Sequence, residues 1–315
     1  MKMKKILPFF MALFIVASAM TSCKKDKDDD PKLEKCKVTR LAIEYQENYE
    51  GEEYGYTDNI VLNYDSQGRL TGWSEDGDGF SISLQYDNNG RLIRFDFMED
   101  GETGEYGLVT WGTNEATITY YYDIGSGTPE ISSWRTVMKF NQSGQIIRMD
   151  ELYNNGSSWE LRYYVLNTWQ NDNVIKQEQF ERDDYWKSSP VSKNHTSLRS
   201  WYQNRREDRA RREAHTLKAA PQDMVLYSTA TYTYDNKKNS FAVQTGMHLL
   251  VEGFPAFMSK NNILTVTEQY YDESPRSYSF SYTYNDDDYP LTRSVTAVSS
   301  WGEWSETWTF TYDCN

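Results

Sequence analysis

The chain has 315 residues and a formal charge of −14, with aromatic residues at 15% and all hydrophobic residues at only 38%. The acidic balance argues against nucleic acid as the main partner. Three His and three Cys, with no Cys-x-x-Cys or His-x-x-x-His pair, leave little material for a zinc or thiol site, and no cofactor is expected. The length allows one large all-β domain or two ordinary ones, and many aromatics among few aliphatics favour one-sided sheets over a fully buried parallel sheet.

Residues 1–22 read as a signal peptide. Met1 to Lys5 is basic, Ile6 to Met20 is apolar apart from Ser18, and Met20-Thr21-Ser22-Cys23 places small residues before a cysteine. The run is too short to span a bilayer comfortably. A cysteine in place of an Ala-x-Ala site resembles a bacterial lipoprotein signal, in which Cys23 becomes the acylated first residue and the membrane a partner through that anchor. An ordinary secretion signal or a short transmembrane helix is the alternative. Removal of Lys2, Lys4 and Lys5 would bring the charge to about −17. Residues 23–35 carry Lys24-Lys25-Asp26-Lys27-Asp28-Asp29-Asp30, a stretch that reads as a solvated tether. It resembles the lysine-then-acidic export tag of Bacteroidota surface lipoproteins; the alternative is a spacer facing the periplasm.

Residues 36–315 read as a single β domain. Phe80, Ile82, Leu84 and Tyr86 share one face and Ser81, Ser83 and Gln85 the other. Trp304, Trp308, Phe310 and Tyr312 alternate with Ser305, Thr307, Thr309 and Thr311 in the same way near the end of the chain. Between strands stand short units, clearest in Tyr64-Asp65-Ser66-Gln67-Gly68-Arg69-Leu70 and Tyr86-Asp87-Asn88-Asn89-Gly90-Arg91-Leu92. Each predicts a hairpin corner. The Asp accepts hydrogen bonds from its own backbone two residues on, and the Gly takes the left-handed conformation that closes a bulged turn. Looser copies begin at Phe140, Tyr234 and Tyr284. Short gaps imply antiparallel neighbours, hence an all-β antiparallel meander of many hairpins forming a large curled sheet or rolled β architecture.

Two stretches break the pattern. Residues 192–221 hold eight Lys and Arg against three acidic residues and predict one basic helical insertion without a continuous apolar stripe. It is either a ligand for anionic polysaccharide or a segment solvated against the acidic body. Residues 241–262 lose the alternation and predict a short helix around Met247 to Glu252.

The Tyr-Asp-x-x-Gly-Arg-Leu units resemble YD repeats of the Rhs type. Together with Trp169-Gln170-Asn171-Asp172-Asn173, Ser259-Lys260-Asn261-Asn262 and Tyr284 to Pro290, they are similar to a family of Bacteroidota lipoproteins of unknown function. Asn239-Ser240, Lys238 at a turn-glycine position and the basic insertion depart from it. The resemblance implies an all-β domain behind a lipid anchor and carries no catalytic residue.

Candidate chemistry is sparse. Asp76-Gly77-Asp78-Gly79 and Asp286-Asp287-Asp288 read as acidic turns, since neither fits a calcium loop with its terminal Glu. His195, His215 and His248 lie in polar or irregular stretches with no nucleophile motif beside them. The tryptophans either fill a one-sided core or form in part a platform for a sugar ring, and Trp301, opposite in face to Trp304 and Trp308, is the candidate platform residue. Cys36 and Cys314 are expected to pair, because Cys23 is consumed by lipid and the remaining two flank the first and last strands; two free thiols at distant edges of an open sheet are the alternative. The expected function is a non-enzymatic binding or scaffold module on an outer-membrane, surface-exposed lipoprotein, with a glycan or protein ligand. The alternatives are a periplasm-facing structural or chaperone-like lipoprotein and, less favoured, a hydrolase.

Overall fold

The computed structural model describes residues 36–49, 52–77, 79–122, 130–182, 224–242, 255–271, 273–299 and 302–314. In chain order the strands are β1 (Cys36–Tyr49), β2 (Glu52–Tyr64), β3 (Leu70–Glu75), β4 (Phe80–Tyr86), β5 (Leu92–Glu99), β6 (Glu102–Gly112), β7 (Glu115–Tyr122) and β8 (Glu130–Phe140). They continue as β9 (Ile146–Asn154), β10 (Trp159–Gln170), β11 (Asn173–Arg182), β12 (Met224–Tyr234), β13 (Ile263–Tyr270), β14 (Arg276–Tyr284), β15 (Pro290–Ser299) and β16 (Gly302–Cys314). Among the described residues one short helix, α1 (Pro255–Met258), stands between β12 and β13. Cys23, the residues of the signal and tether, the basic insertion 192–221, Met247 to Glu252, the three histidines and Trp301 lie outside the described residues.

Each strand pairs antiparallel with the next, and β16 returns to β1, from Cys36 opposite Cys314 to Tyr49 opposite Gly302. The result is a closed barrel of sixteen strands, which corrects the expectation of an open curled sheet. The local alternation that builds a hairpin is the same in both architectures. What closes this one is the pairing of the two chain ends, which leaves no edge strand unpaired.

A repeated irregularity helps to curl the sheet. Near the starts of β1, β3, β5, β9, β11, β13 and β15 the register slips by one residue, at Thr39, Thr71, Ile93, Ile147, Ile175, Leu264 and Leu291. Each slip is a β-bulge, which bends a strand and raises its twist. The β6–β7 pair lacks one.

The inner face holds the apolar residues. On β4, Phe80, Ile82 and Leu84 are buried, as are Trp304, Trp308 and Phe310 on β16. They belong to two clusters, one centred on β1 to β10 and one on β12 to β16. The outer face carries Ser, Thr and charged residues, joined on β6, β7, β10 and β11 by the rings of Tyr106, Tyr121, Trp159, Tyr164 and Phe180. A barrel that crosses a bilayer is built the other way, with an apolar outer band and a polar lumen. The exposed large apolar residues, Tyr54, Ile93, Ile131, Ile147, Leu226, Tyr271 and Leu291, stand near strand ends.

Candidate binding groove at the turn end

The turn unit explains the repeated motif atom by atom. Asp65 Oδ1 accepts from the backbone of Gln67 and Arg69, both at 2.9 Å, while the Arg69 side chain donates to Oδ2 at 2.7 Å. Gly68 closes the turn by donating to the Asp65 carbonyl at 2.9 Å, with φ of 78°. Asp87, Gly90 and Arg91 repeat the arrangement. Burial opposes ionisation of Asp65 and Asp87, but these hydrogen bonds prevail and hold both carboxyls below their ordinary value.

Neighbouring units are stitched together. The Tyr86 hydroxyl donates to the Leu70 carbonyl at 2.7 Å, and the Arg69 guanidinium lies 5.0 Å from the Tyr86 ring centre. Tyr64 reaches back to Val38, Trp111 to Leu92, Trp169 to Ile146, Tyr234 to Val174, Tyr282 to Ile263 and Tyr312 to Pro290. On every even strand except β8, which ends in Phe140, a ring residue at or near the strand end thus satisfies a carbonyl at the start of the preceding odd strand.

At one unit the turn is split. Asp235 Oδ1 accepts from Lys237 and from Asn262, each at 3.0 Å, so Asn262 takes the place that Arg69 holds beside Asp65. The backbone bond from Asp235 to the Asn262 carbonyl, 3.0 Å, closes the corner across the intervening chain. The described parts of that chain, 236–242 and 255–261, pack inward. Phe241 and Phe257 join the main core beside Trp308 and Phe310, and Asn239 binds the Ala256 and Ser259 carbonyls at 2.7 and 2.8 Å. These described residues form a cap packed on the core at this end of the barrel.

Between the cap and the β8–β9 and β10–β11 turns lies a groove of about 660 Å³. Its apolar floor is Ile146, Phe257 and Met258, and one wall is the Trp169 indole. Around these stand Gln145, Asn236, Asn261, Asp172, Asp288, Lys237, Lys238 and Lys260. Lys237 pairs with Asp288 at 2.5 Å, Lys260 with Asp172 at 3.8 Å, and Gln145 donates to Asp172 at 3.2 Å. The Lys238 amine stands 4.4 Å from the Tyr289 ring centre. Donors and acceptors of both signs thus surround one ring on an apolar floor, the composition of a pocket for an uncharged polar ligand.

The other half of the lumen has a different chemistry. Glu75, Glu105, Glu151, Glu181, Glu268 and Glu306 are buried on the inner face. Burial pushes Glu268 and Glu306 up to about 7, with Arg276 and Arg293 respectively opposing the shift. Among the described residues no group of His, Cys, Asp and Glu could hold a metal ion.

Of the residues read from sequence, Cys36 and Cys314 are joined by a disulfide across the β1–β16 pair. Trp73, Trp134, Trp304 and Trp308 are buried and Trp111 packs on the core. On the outer wall the Arg135 guanidinium lies 4.1 Å from the Trp159 ring centre, and Tyr106–Tyr121 and Tyr164–Phe180 stack at 4.9 and 4.5 Å under Arg94 and Arg148. Those ring faces are covered, which leaves Trp169 as the described tryptophan placed in a groove. Sequence reasoning did not find the groove. Its one signal is Asn261-Asn262-Ile263, the second half of a turn begun at Tyr234-Asp235.

Comparison with known proteins gives a match of residues 64–94 to the RHS Repeat model. No curated protein matches the sequence. Among solved structures, the chain is similar to a porin-like protein from Bacteroides vulgatus, at 11% identity and a TM-score of 0.39, over 87% of this chain and 98% of that one. A porin-like protein from Bacteroides uniformis gives 11% identity and a TM-score of 0.33, over 87% and 97%. A protein of unknown function from Bacteroides fragilis gives 15% and 0.25, over 43% and 90%.

Proposed function

We propose that the protein is a non-enzymatic binding module, held on the outer membrane by acylation of Cys23 and exposed at the cell surface, whose turn-end groove takes a carbohydrate. The observation that carries the reading is the groove itself, with Trp169 set among amides, carboxylates and lysines. A sugar ring offers an apolar face for an indole and hydroxyls that both donate and accept, which matches this lining. The Ser, Thr and charged residues of the outer face support an anchored barrel over one embedded in hydrocarbon. Lys24 to Asp30 supplies the tether, and Cys36 starts β1 at the same end of the barrel as the groove.

A glycan array screened with the full chain, followed by titration of any hit, tests the binding. Trp169→Ala should lower affinity at least about tenfold while the β spectrum is retained; a folded protein that retains no glycan overturns the reading. For the anchor, Cys23→Ala should release the protein from membranes and abolish fatty-acid labelling. Protease shaving of intact cells tests the surface location.

A further inference from the structure

Away from the cap, inward-facing rings from four strands form an arc that also crosses β15. Tyr278 on β14 meets Trp304 on β16 at 6.1 Å between ring centres, Trp304 meets Tyr45 on β1 at 6.2 Å, and Tyr45 stacks on Tyr56 of β2 at 5.1 Å. Carboxylates flank the arc. Glu306 faces Tyr45 across the β1–β16 pair, Glu47 accepts from the Tyr45 hydroxyl at 3.3 Å, Asp58 shares the inner face of β2, and Glu268 pairs with Arg276 two residues before Tyr278.

Of these carboxylates it is Glu268 that is incompletely matched among the described residues, whereas Glu306 accepts from Trp308 Nε1 at 2.7 Å. Arg293 lies 3.7 Å from Glu306, with its guanidinium over the Phe280 and Trp308 rings at 4.4 and 4.2 Å. Arg276 is bonded to Glu273. Glu268 is only 7% exposed, yet its Oε2 has no hydrogen-bond partner among the described residues. A buried carboxylate oxygen in that state carries a desolvation cost that a bound cation would remove. The face of an aromatic ring is itself negative and attracts cations, most strongly where water is excluded. Exposure falls along the arc from the β1–β2 rim, where Tyr54 is 52% exposed, through half-buried Tyr56 and Tyr45 to the buried Trp304. The carboxylates are spread over several strands and do not converge, which suits an extended organic cation over a metal ion.

We propose that this aromatic arc, with Glu268 and Glu306 beside it, is a second binding site, for a small organic cation of the alkylammonium or polyamine class. The site is separate from the groove, so it stands or falls independently of carbohydrate binding there.

Calorimetric titration of the full chain with spermidine and with tetramethylammonium tests it, at 0.15 and 0.5 M NaCl. The expected result is saturable binding of spermidine near one per chain that survives the higher salt, detectable binding of tetramethylammonium, and a loss of at least about tenfold in Glu268→Gln. Tyr56→Leu, at the half-exposed end of the arc, should weaken both ligands, and Trp169→Ala should leave them unchanged. Binding that disappears at 0.5 M NaCl, where exposed charges are screened, and is the same in Glu268→Gln and Tyr56→Leu would be adsorption to an acidic surface. That outcome overturns the proposal, as does absence of binding to the folded parent.

Discussion

Gly107 lies on the inner face of β6 opposite Phe95, and the phenyl ring occupies the space a side chain would need: a Cβ there would stand 2.1 Å from Phe95 Cζ. The vacancy lets Phe95 reach across β6 to Tyr120 of β7, at 6.0 Å between ring centres. Gly107→Ala should therefore cost roughly 1 to 3 kcal/mol by overpacking. At Gly112 the nearest atom to a new Cβ is 3.9 Å away, so Gly112→Ala should change little. Urea unfolding of the two variants checks this, and Phe95→Leu should partly rescue the first; equal losses at the two glycines would refute the packing argument. Glu268 and Glu306 give a pH prediction at the same scale. Burial raises both from 4.5 to about 7, so between those values the folded state binds more protons than the unfolded chain. The stability they contribute is full below about pH 4.5 and is lost as pH rises through 7. Glu268→Gln should flatten the fall in unfolding free energy between pH 5 and 7 and leave the variant more stable than the parent at neutral pH. An unchanged slope in denaturant titrations at pH 5, 6 and 7 would show that Glu268 titrates normally.

The hairpin corners were legible as elements because their information is local: Asp, Gly and Arg of one unit touch each other within a few residues. Gly90 has φ of 77°, where a β-branched residue is strained. Gly90→Val should cost about 1 to 3 kcal/mol, whereas Asn88, exposed in the same turn, should accept Ala with little effect; similar melting temperatures for the two variants would sink the turn assignment. The split turn was not legible for the opposite reason. The partner that completes Asp235 is Asn262, 27 residues away, and nothing in the intervening chain announces that the corner closes over it. Among the described residues of this stretch a helix stands at Pro255–Met258, while Met247 to Glu252 lie outside them. Asn262 Nδ2 donates to Asp235 Oδ2 and to the Lys238 carbonyl, each at 3.0 Å. Asn262→Ala should loosen the cap, raising amide exchange at Phe241 and Ala242 while exchange in β3 to β6 stays as in the parent. Uniform protection across both regions would mean that the cap does not depend on this corner.

At the scale of the whole molecule, the identity of the inner face could be read strand by strand, since alternation alone sorts Phe80 from Ser81. Closure could be read only through the expected Cys36–Cys314 pair, because it rests on β1 meeting β16, whose terminal cysteines are 278 residues apart in sequence. A disulfide enclosing a loop of that length is worth roughly 5 kcal/mol in the chain-entropy model, a figure that strain and residual structure in the unfolded chain usually lower. The bond is not the sole tie between the strands, however. Their pairing continues from Cys36 as far as Tyr49, and Leu41, Ile43, Trp308 and Phe310 along it are core residues. The reduced protein should therefore keep its β spectrum and tryptophan emission in buffer while its urea midpoint falls. Alkylation of the unfolded Cys23→Ala chain should label no thiol before reduction and two after it. Labelled thiols in the unreduced chain would refute the bond. Loss of the β spectrum on reduction alone would show that β1 and β16 stay together only while covalently joined, and that the barrel without the bond opens along this seam.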